Sequence, residues 1–167
     1  ETNERLNAEI EFSKLVKTIA VVSNEARAVD ETLRFCIRKV CEFAGWPLGH
    51  LYLTAENPSD GLFPTKIWHV EEPGKFDIFQ NITKDTPLEE GIGLPGRVLI
   101  SGEPAWIMDV TKDSNFPRAN LVKNIGVKAG FAFPILIGEK VVGVMEFFSP
   151  KAVKPDPEIL DIMAQVG

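Results

Sequence analysis

Apolar residues recur along this chain in two periods, and the change from one to the other marks out its elements. Leu6, Ile10, Phe12, Leu15, Val16, Ile19 and Val22 approximate one helical stripe. A second helix is clearer. Leu33, Cys36, Ile37, Val40, Cys41 and Ala44 follow i, i+3, i+4, i+7, i+8, i+11 spacing, the signature of a single buried face. Asp30 is placed to cap its start, and Gly45 with Pro47 just beyond closes it.

Near Leu48 the period drops to two. Leu51 and Leu53 alternate with His50 and Tyr52, residues 57–61 read as a turn, and residues 66–70 read as the returning strand. Residues 71–90 fit neither period. Phe76, Ile78, Phe79 and Ile82 are apolar there, and an irregular or short helical segment is expected. Pro95 and Gly102 bound a short helix. Residues 105–110 form a strand candidate, and residues 116–126 a short helix closed by Gly126. Ala129, Phe131, Phe133, Ile135 and Ile137 then alternate with Gly130, Ala132, Pro134 and Leu136. Gly138-Glu139 suits a type II′ hairpin turn, and residues 141–148 return. Both strands are apolar on both faces, as expected at the centre of a covered sheet. Asp156-Pro157 opens a last helix, striped by Ile159, Ile162, Met163 and Val166. The chain ends inside that stripe, so a fragment of a longer protein is expected. Two helices, a meander of strands and a closing helix imply a layered α/β (α+β) domain on a largely antiparallel sheet.

Composition narrows the function classes. With 167 residues, 44% of them hydrophobic and 25% charged, one ordinary soluble domain is expected. A net charge of −6 argues against a nucleic-acid surface and against docking on anionic lipid. No apolar run approaches the roughly 20 residues of a membrane span, and no signal-peptide pattern opens the chain. A cytoplasmic setting is expected. Cys36 and Cys41 sit five apart on one helix, which makes an intra-helix disulfide awkward. They read as small core residues.

Catalytic sets are not found. The sequence holds no phosphate loop, His-Glu-x-x-His, Cys-x-x-Cys or nucleophile elbow. Gly91, Gly93 and Gly96 read as tight turns before a helix. Glu146 has two readings, because it sits among Val142, Val144 and Phe148 on one strand face. A buried carboxylate needs partners or a polar cavity. It is either a polar anchor in a ligand pocket or the partner of Arg97 or Arg118. Asp109 reads as a turn cap before Thr111. The aromatics Trp68, Phe76, Phe79, Trp106, Phe116 and Phe148 fill a core or line a cavity for a planar ligand.

One ordered set of motifs spans residues 91–149. It runs Gly91-Ile92-Gly93-Leu94-Pro95-Gly96-Arg97-Val98, Gly102-Glu103-Pro104-Ala105-Trp106-Ile107, Asp109-Val110, Phe116-Pro117-Arg118-Ala119 and Gly126-Val127-Lys128-Ala129. It closes with Phe133-Pro134-Ile135 and Val141-Val142-Gly143-Val144-Met145-Glu146-Phe147-Phe148. This order resembles the GAF domain of bacterial and cyanobacterial signalling proteins. The resemblance implies a connector helix over residues 1–22 and the domain over residues 23–167. It implies a five- or six-stranded sheet, with terminal helices on one face and a pocket roofed by loops and short helices on the other. Gly130, Ala132, Pro134, Glu146 and Phe148 would then face the pocket, and Phe131, Phe133 and Ile135 the helices. The ligand-binding set it implies is Trp68, Phe79, Ile92, Leu94, Val98, Ile107, Asp109, Phe116, Leu121, Val122, Ala132, Glu146 and Phe148.

The function so implied is regulatory and not enzymatic. A small molecule would bind beneath residues 76–99 and 118–126. Its presence would be relayed through the terminal helices to an output domain in the same chain, as in two-component sensor histidine kinases. A homodimer through those helices is expected. The alternative is a ligand-free dimerisation module, and side chains that fill the roofed volume would argue for it. Some GAF proteins reduce methionine sulfoxide with several cysteines, a third and weaker match for a chain with two. The cofactor stays unknown. Residues 116–133 resemble the bilin-attachment region of phytochromes, but Ala119 stands at the cysteine position and no thioether can form there. The cyclic-nucleotide signature of the family is not found around Asn115-Phe116 or Asn124. His69 is the candidate for haem ligation, against its ordinary reading as a strand histidine.

Overall fold

In a computed structural model, which describes residues 2–21, 26–121 and 124–166, the two periods become one sheet covered on both faces. Helices α1 (Thr2–Val21) and α2 (Ala26–Ala44) come first, then β1 (Leu48–Thr54) and β2 (Leu62–Val70). Next come α3 (Asp77–Lys84), α4 (Gly93–Ser101) and β3 (Ala105–Ile107). The hairpin of β4 (Ala129–Ile137) and β5 (Lys140–Ser149) follows, and then α5 (Pro157–Val166). The five strands run in the order β2-β1-β5-β4-β3, each neighbouring pair antiparallel. This is the expected layered α/β architecture.

The helical periodicity of α2 is spent on one sheet face. Leu33, Cys36, Ile37, Val40 and Cys41 are buried against Phe131, Phe133, Ile135, Met145 and Phe147, with Ile159 and Met163 of α5. Gly49 permits this approach. A Cβ there would lie 2.5 Å from Ile37 Cγ2 and 3.0 Å from Cys41 Sγ. Burial pushes the Cys36 thiol up to about 12. Burial does the same to Cys41, helped by Glu71 and Glu42. Both thiols are therefore expected to resist Ellman's reagent in the folded protein and to react after denaturation. Prompt reaction of either in native buffer would contradict this packing.

The other face carries the roof. Ala132, Val144 and Phe148 are buried with Phe79, Leu94, Val98 and Phe116. The expected division of faces holds along β4 and β5, with one correction. Val142 packs on the α2 side and Val141 on the roof side. The register slips between Ile135 and Leu136, whose partners are Gly143 and Val141. The bulge leaves Val142 unpaired and inverts the alternation beyond it. The two-residue turn has Gly138 at φ +62°, the sign a II′ turn needs at that position.

Two boundaries differ from expectation, and one expected segment takes a definite form. Asp30 does not cap α2, because helix-compatible Ala26 to Val29 extend the helix a turn earlier. Residues 71–90 contain the short helical segment expected there, the eight-residue α3. Among the described residues of 116–126, the helical piece is the 3-10 turn Pro117–Asn120. Phe116 and Arg118 are both buried two positions apart, which one α-helical face does not provide. Asp156 does open α5, its carboxylate accepting the Glu158 N–H at 3.0 Å. Val22 and Val122 lie outside the described residues, as do the side chains of Leu15, Val16, Ile19, Ile162 and Val166.

Candidate functional site

The middle of the roofed sheet face is polar. Glu146 on β5 pairs across the ladder with His50 on β1 and with Ala132 on β4. Glu146 and His50 are completely buried, so each must find partners inside the protein. Arg118 supplies them from the roof at 1% exposure. Its Nη2 donates to Glu146 Oε1 at 2.6 Å and its Nη1 to Oε2 at 2.9 Å. Nη1 also reaches Thr83 Oγ1 of α3 at 3.2 Å. Of the two arginines, Arg118 is the partner of Glu146, since Arg97 bonds Asp113 instead.

His50 completes the cluster. Its Nε2 lies 2.9 Å from the Thr65 carbonyl oxygen, which only accepts, so Nε2 carries a hydrogen. Its Nδ1 lies 2.8 Å from Glu146 Oε2. Aromatic faces surround the Arg118 guanidinium. The Arg118 guanidinium carbon is 4.8 Å from the Phe116 ring centre, 4.9 Å from Phe79, 5.4 Å from Phe148 and 5.5 Å from Tyr52. Ring faces are electronegative and attract a cation most where water is excluded. Trp68 stacks on His50 at 3.9 Å.

Burial alone would push the Glu146 carboxyl up, but the Arg118 charge and the hydrogen bonds from His50 and Arg118 outweigh it and hold it below its ordinary value. Its contribution to stability is therefore full above about pH 4.5 and is lost as the pH falls through the folded value. Urea unfolding across that acid range should show stability falling, with a smaller fall in Glu146→Gln. Equal slopes in the two proteins would contradict the assignment.

A second polar clasp ties the roof together. Asn115 accepts the Gly93 N–H at 2.9 Å and donates to the Gly91 carbonyl at 2.8 Å. Arg97 reaches Asp113 and the Asn115 carbonyl. Gly91 and Gly93 both have positive φ, and Asn115 satisfies their turn from outside. Asn115→Ala should cost about 1–3 kcal/mol in urea unfolding and speed amide exchange at Gly93.

The structure brings most of the sequence-expected residues together. Phe79, Leu94, Val98, Ile107, Phe116, Ala132 and Phe148 share one buried cluster, and Trp68 packs against it. Glu146 lies at their centre. Three others stand apart. Ile92 and Leu121 are 41% and 59% exposed. Asp109 accepts the Thr111 N–H at 3.0 Å and its hydroxyl at 2.6 Å, as its reading as a turn cap anticipated. The Thr111 hydrogen bond is the main reason its carboxyl is held below the ordinary range. Val122 lies outside the described residues. Sequence reasoning missed His50, Thr83 and Tyr52. The signal available for His50 was its place on the same strand face as Tyr52.

Cofactor chemistry finds little to hold it here. Ala119 follows Arg118 at the roof and offers no thiol. Cys36 and Cys41 lie beneath the opposite sheet face. His69 pairs with Gly49 on that same opposite face and borders a surface groove with Arg34 and Arg38. Among the described residues, no three His, Cys, Asp or Glu side chains are grouped to hold a metal, and no helix is long and apolar enough to cross a membrane.

Known proteins share this fold. The GAF domain of A. aeolicus nlh2, in an inactive state, is 20% identical with a TM-score of 0.59, over 99% of this chain and 89% of that one. The GAF domain of a Coxiella burnetii phosphoenolpyruvate-protein phosphotransferase gives a TM-score of 0.63 at 14% identity, over 95% and 89%. Free methionine-R-sulfoxide reductase of Neisseria meningitidis, in complex with its substrate, gives 0.57 at 17% identity, also over 95% and 89%. At such identities the likeness is one of fold. Among curated proteins, Transcription factor GLABRA 3 of Arabidopsis thaliana is 41% identical over 58 residues, which is 34% of this chain and only 9% of that protein. The family profile described as GAF domain matches residues 26–167. Taken with the antiparallel sheet and its roofed face, that match over most of the chain means that the protein belongs to the GAF domain family.

Proposed function

We propose that this domain is a regulatory sensor. It binds a small molecule under the roof and passes its bound state through α1 and α5 to an output domain in the same chain, in two-component-type signalling. GAF domains commonly serve as small-molecule regulatory modules in signalling proteins. The observation that carries the reading is the Arg118–Glu146–His50 cluster at the centre of the roofed face. A buried ion pair stabilises a fold no better than well-packed apolar residues do, so such a cluster makes poor core filler and a good polar recognition site. The sheet supplies one half of the cluster and a short connection the other. A ligand that separates them gains access to the site and moves the roof. A cytoplasmic setting goes with this reading, and the net charge of −6 disfavours nucleic acid and anionic membranes as partners. The reading assigns the domain no catalytic step.

Filling of the roofed volume by Arg118 counts against a ligand entering an already open pocket. The sensor reading then requires that binding displace roof side chains. The same filling favours a second reading, a ligand-free dimerisation module. In its support, α1, α2 and α5 leave an apolar groove of about 500 Å³, where Phe35 and Phe43 are 43% and 40% exposed. Native mass spectrometry of the protein as purified, with an absorption spectrum, separates the two. A discrete extra mass lost on denaturation supports the sensor. A bare dimer that persists on dilution supports the module.

A further inference from the structure

The two halves of the central cluster differ in how they are anchored. Glu146, His50, Tyr52 and Phe148 stand on β5 and β1, the inner strands of the sheet. Arg118 stands on the 3-10 turn Pro117–Asn120 of the roof, where Ala119 N–H donates to Phe116 O at 3.0 Å and Leu121 N–H to Arg118 O at 3.4 Å. The half on the sheet is a carboxylate beside aromatic faces. The half on the roof is a planar cation.

We infer that this is a cation site occupied from within, and that its ligand is a small organic cation with a planar hydrogen-bonding head, a guanidinium or amidinium, taken in exchange for Arg118. This deepens the sensor reading and rests on it. The acceptors and the rings decide the ligand class. When Arg118 leaves, both Glu146 oxygens lose their guanidinium donors. A neutral ligand in its place would forgo the charge-assisted bonds to that carboxylate and the attraction of the ring faces, and an anion would face the carboxylate directly. A second guanidinium restores every lost interaction. It makes the two parallel bonds to Glu146, meets the Thr83 hydroxyl and lies among the same rings. Arg118, released with its turn, carries the signal into the roof.

The probes are n-butylguanidinium and its uncharged isostere n-butylurea, titrated calorimetrically into the wild-type chain and into Arg118→Ala. The wild type is expected to bind butylguanidinium at least about tenfold more tightly than butylurea. Arg118→Ala should bind it at least about tenfold more tightly again, because nothing has to be displaced. If Arg118→Ala does not fold, hydrogen exchange on the wild type decides. Amides of Ala119 to Leu121 should exchange faster with butylguanidinium and not with butylurea.

Binding to Arg118→Ala alone, with the wild type silent in both assays, would overturn the proposal and leave a permanently filled core pair. Equal binding of the two probes would overturn it by removing the role of charge. An anionic or neutral molecule found bound in the purified protein would also overturn it while leaving the sensor reading intact. The sensor reading fails separately, when the purified protein is a bare dimer and no small molecule changes its exchange pattern.

Discussion

Glu146→Ala is expected to lower folding stability by about 3–5 kcal/mol, the usual cost of leaving a buried charge without its partner. The carboxylate is wholly buried, and three short hydrogen bonds converge on it from Arg118 and His50. Removing it strands the guanidinium among four rings and takes the acceptor from His50 Nδ1. The cost of the single substitution measures that stranded charge more than the worth of the pair. Arg118→Met should therefore also destabilise, and Arg118→Met with Glu146→Leu should cost clearly less than the sum of the two singles. Coupling between contacting residues is typically about 0.5–3 kcal/mol, and this pair should sit at the upper end. Urea denaturation of the four proteins completes the cycle. Additive losses would mean that Arg118 and Glu146 do not interact as described.

Phe148→Ala should cost about 3–5 kcal/mol for a different reason. The ring is completely buried, 4.7 Å from Phe79 and 6.0 Å from Phe116 between ring centres. A Cβ on Gly130 would lie 2.9 Å from its edge, so the strand beside it is cut back to admit the ring. Truncation leaves a void between sheet and roof that neither rigid strand can close. It also removes one aromatic face from Arg118. The loss should appear in urea unfolding as a lower midpoint with an unchanged slope. A loss below about 1 kcal/mol would mean that the roof collapses onto the sheet, which would show the roof to be far more compliant than its packing implies.

The sequence by itself determined the elements whose periodicity runs long enough to read. The α2 stripe from Leu33 to Ala44 and the alternation from Ala129 to Ile135 divided each element into its faces, and the family resemblance implied which face of β4 meets the helices. Pro95, Gly102, Gly138 and Asp156-Pro157 fixed where elements begin, turn or stop, because each has a backbone requirement of its own. The ordered motifs of residues 91–149 carried the family. The eight residues of α3 and the four of Pro117–Asn120 were too short to show a period, so the roof was legible only as short helical pieces without bounds. The Val142 bulge was hidden too, since slippage depends on both strands at once.

Tertiary structure alone decided the centre of the site. Periodicity reports which side chains need burial, and it is silent on which buried charges meet. Glu146 is 28 residues from Arg118 and 96 from His50. The sequence offered Arg97 and Arg118 equally as its partner. The fold chose between them by placing Arg97 beside Asp113 and turning Arg118 inward. His50 looked like any strand histidine until the ladder set it opposite Glu146. Hydrophobic burial could be read locally because it is a property of each residue, whereas ion pairing is a property of two residues that only the folded sheet and roof bring together.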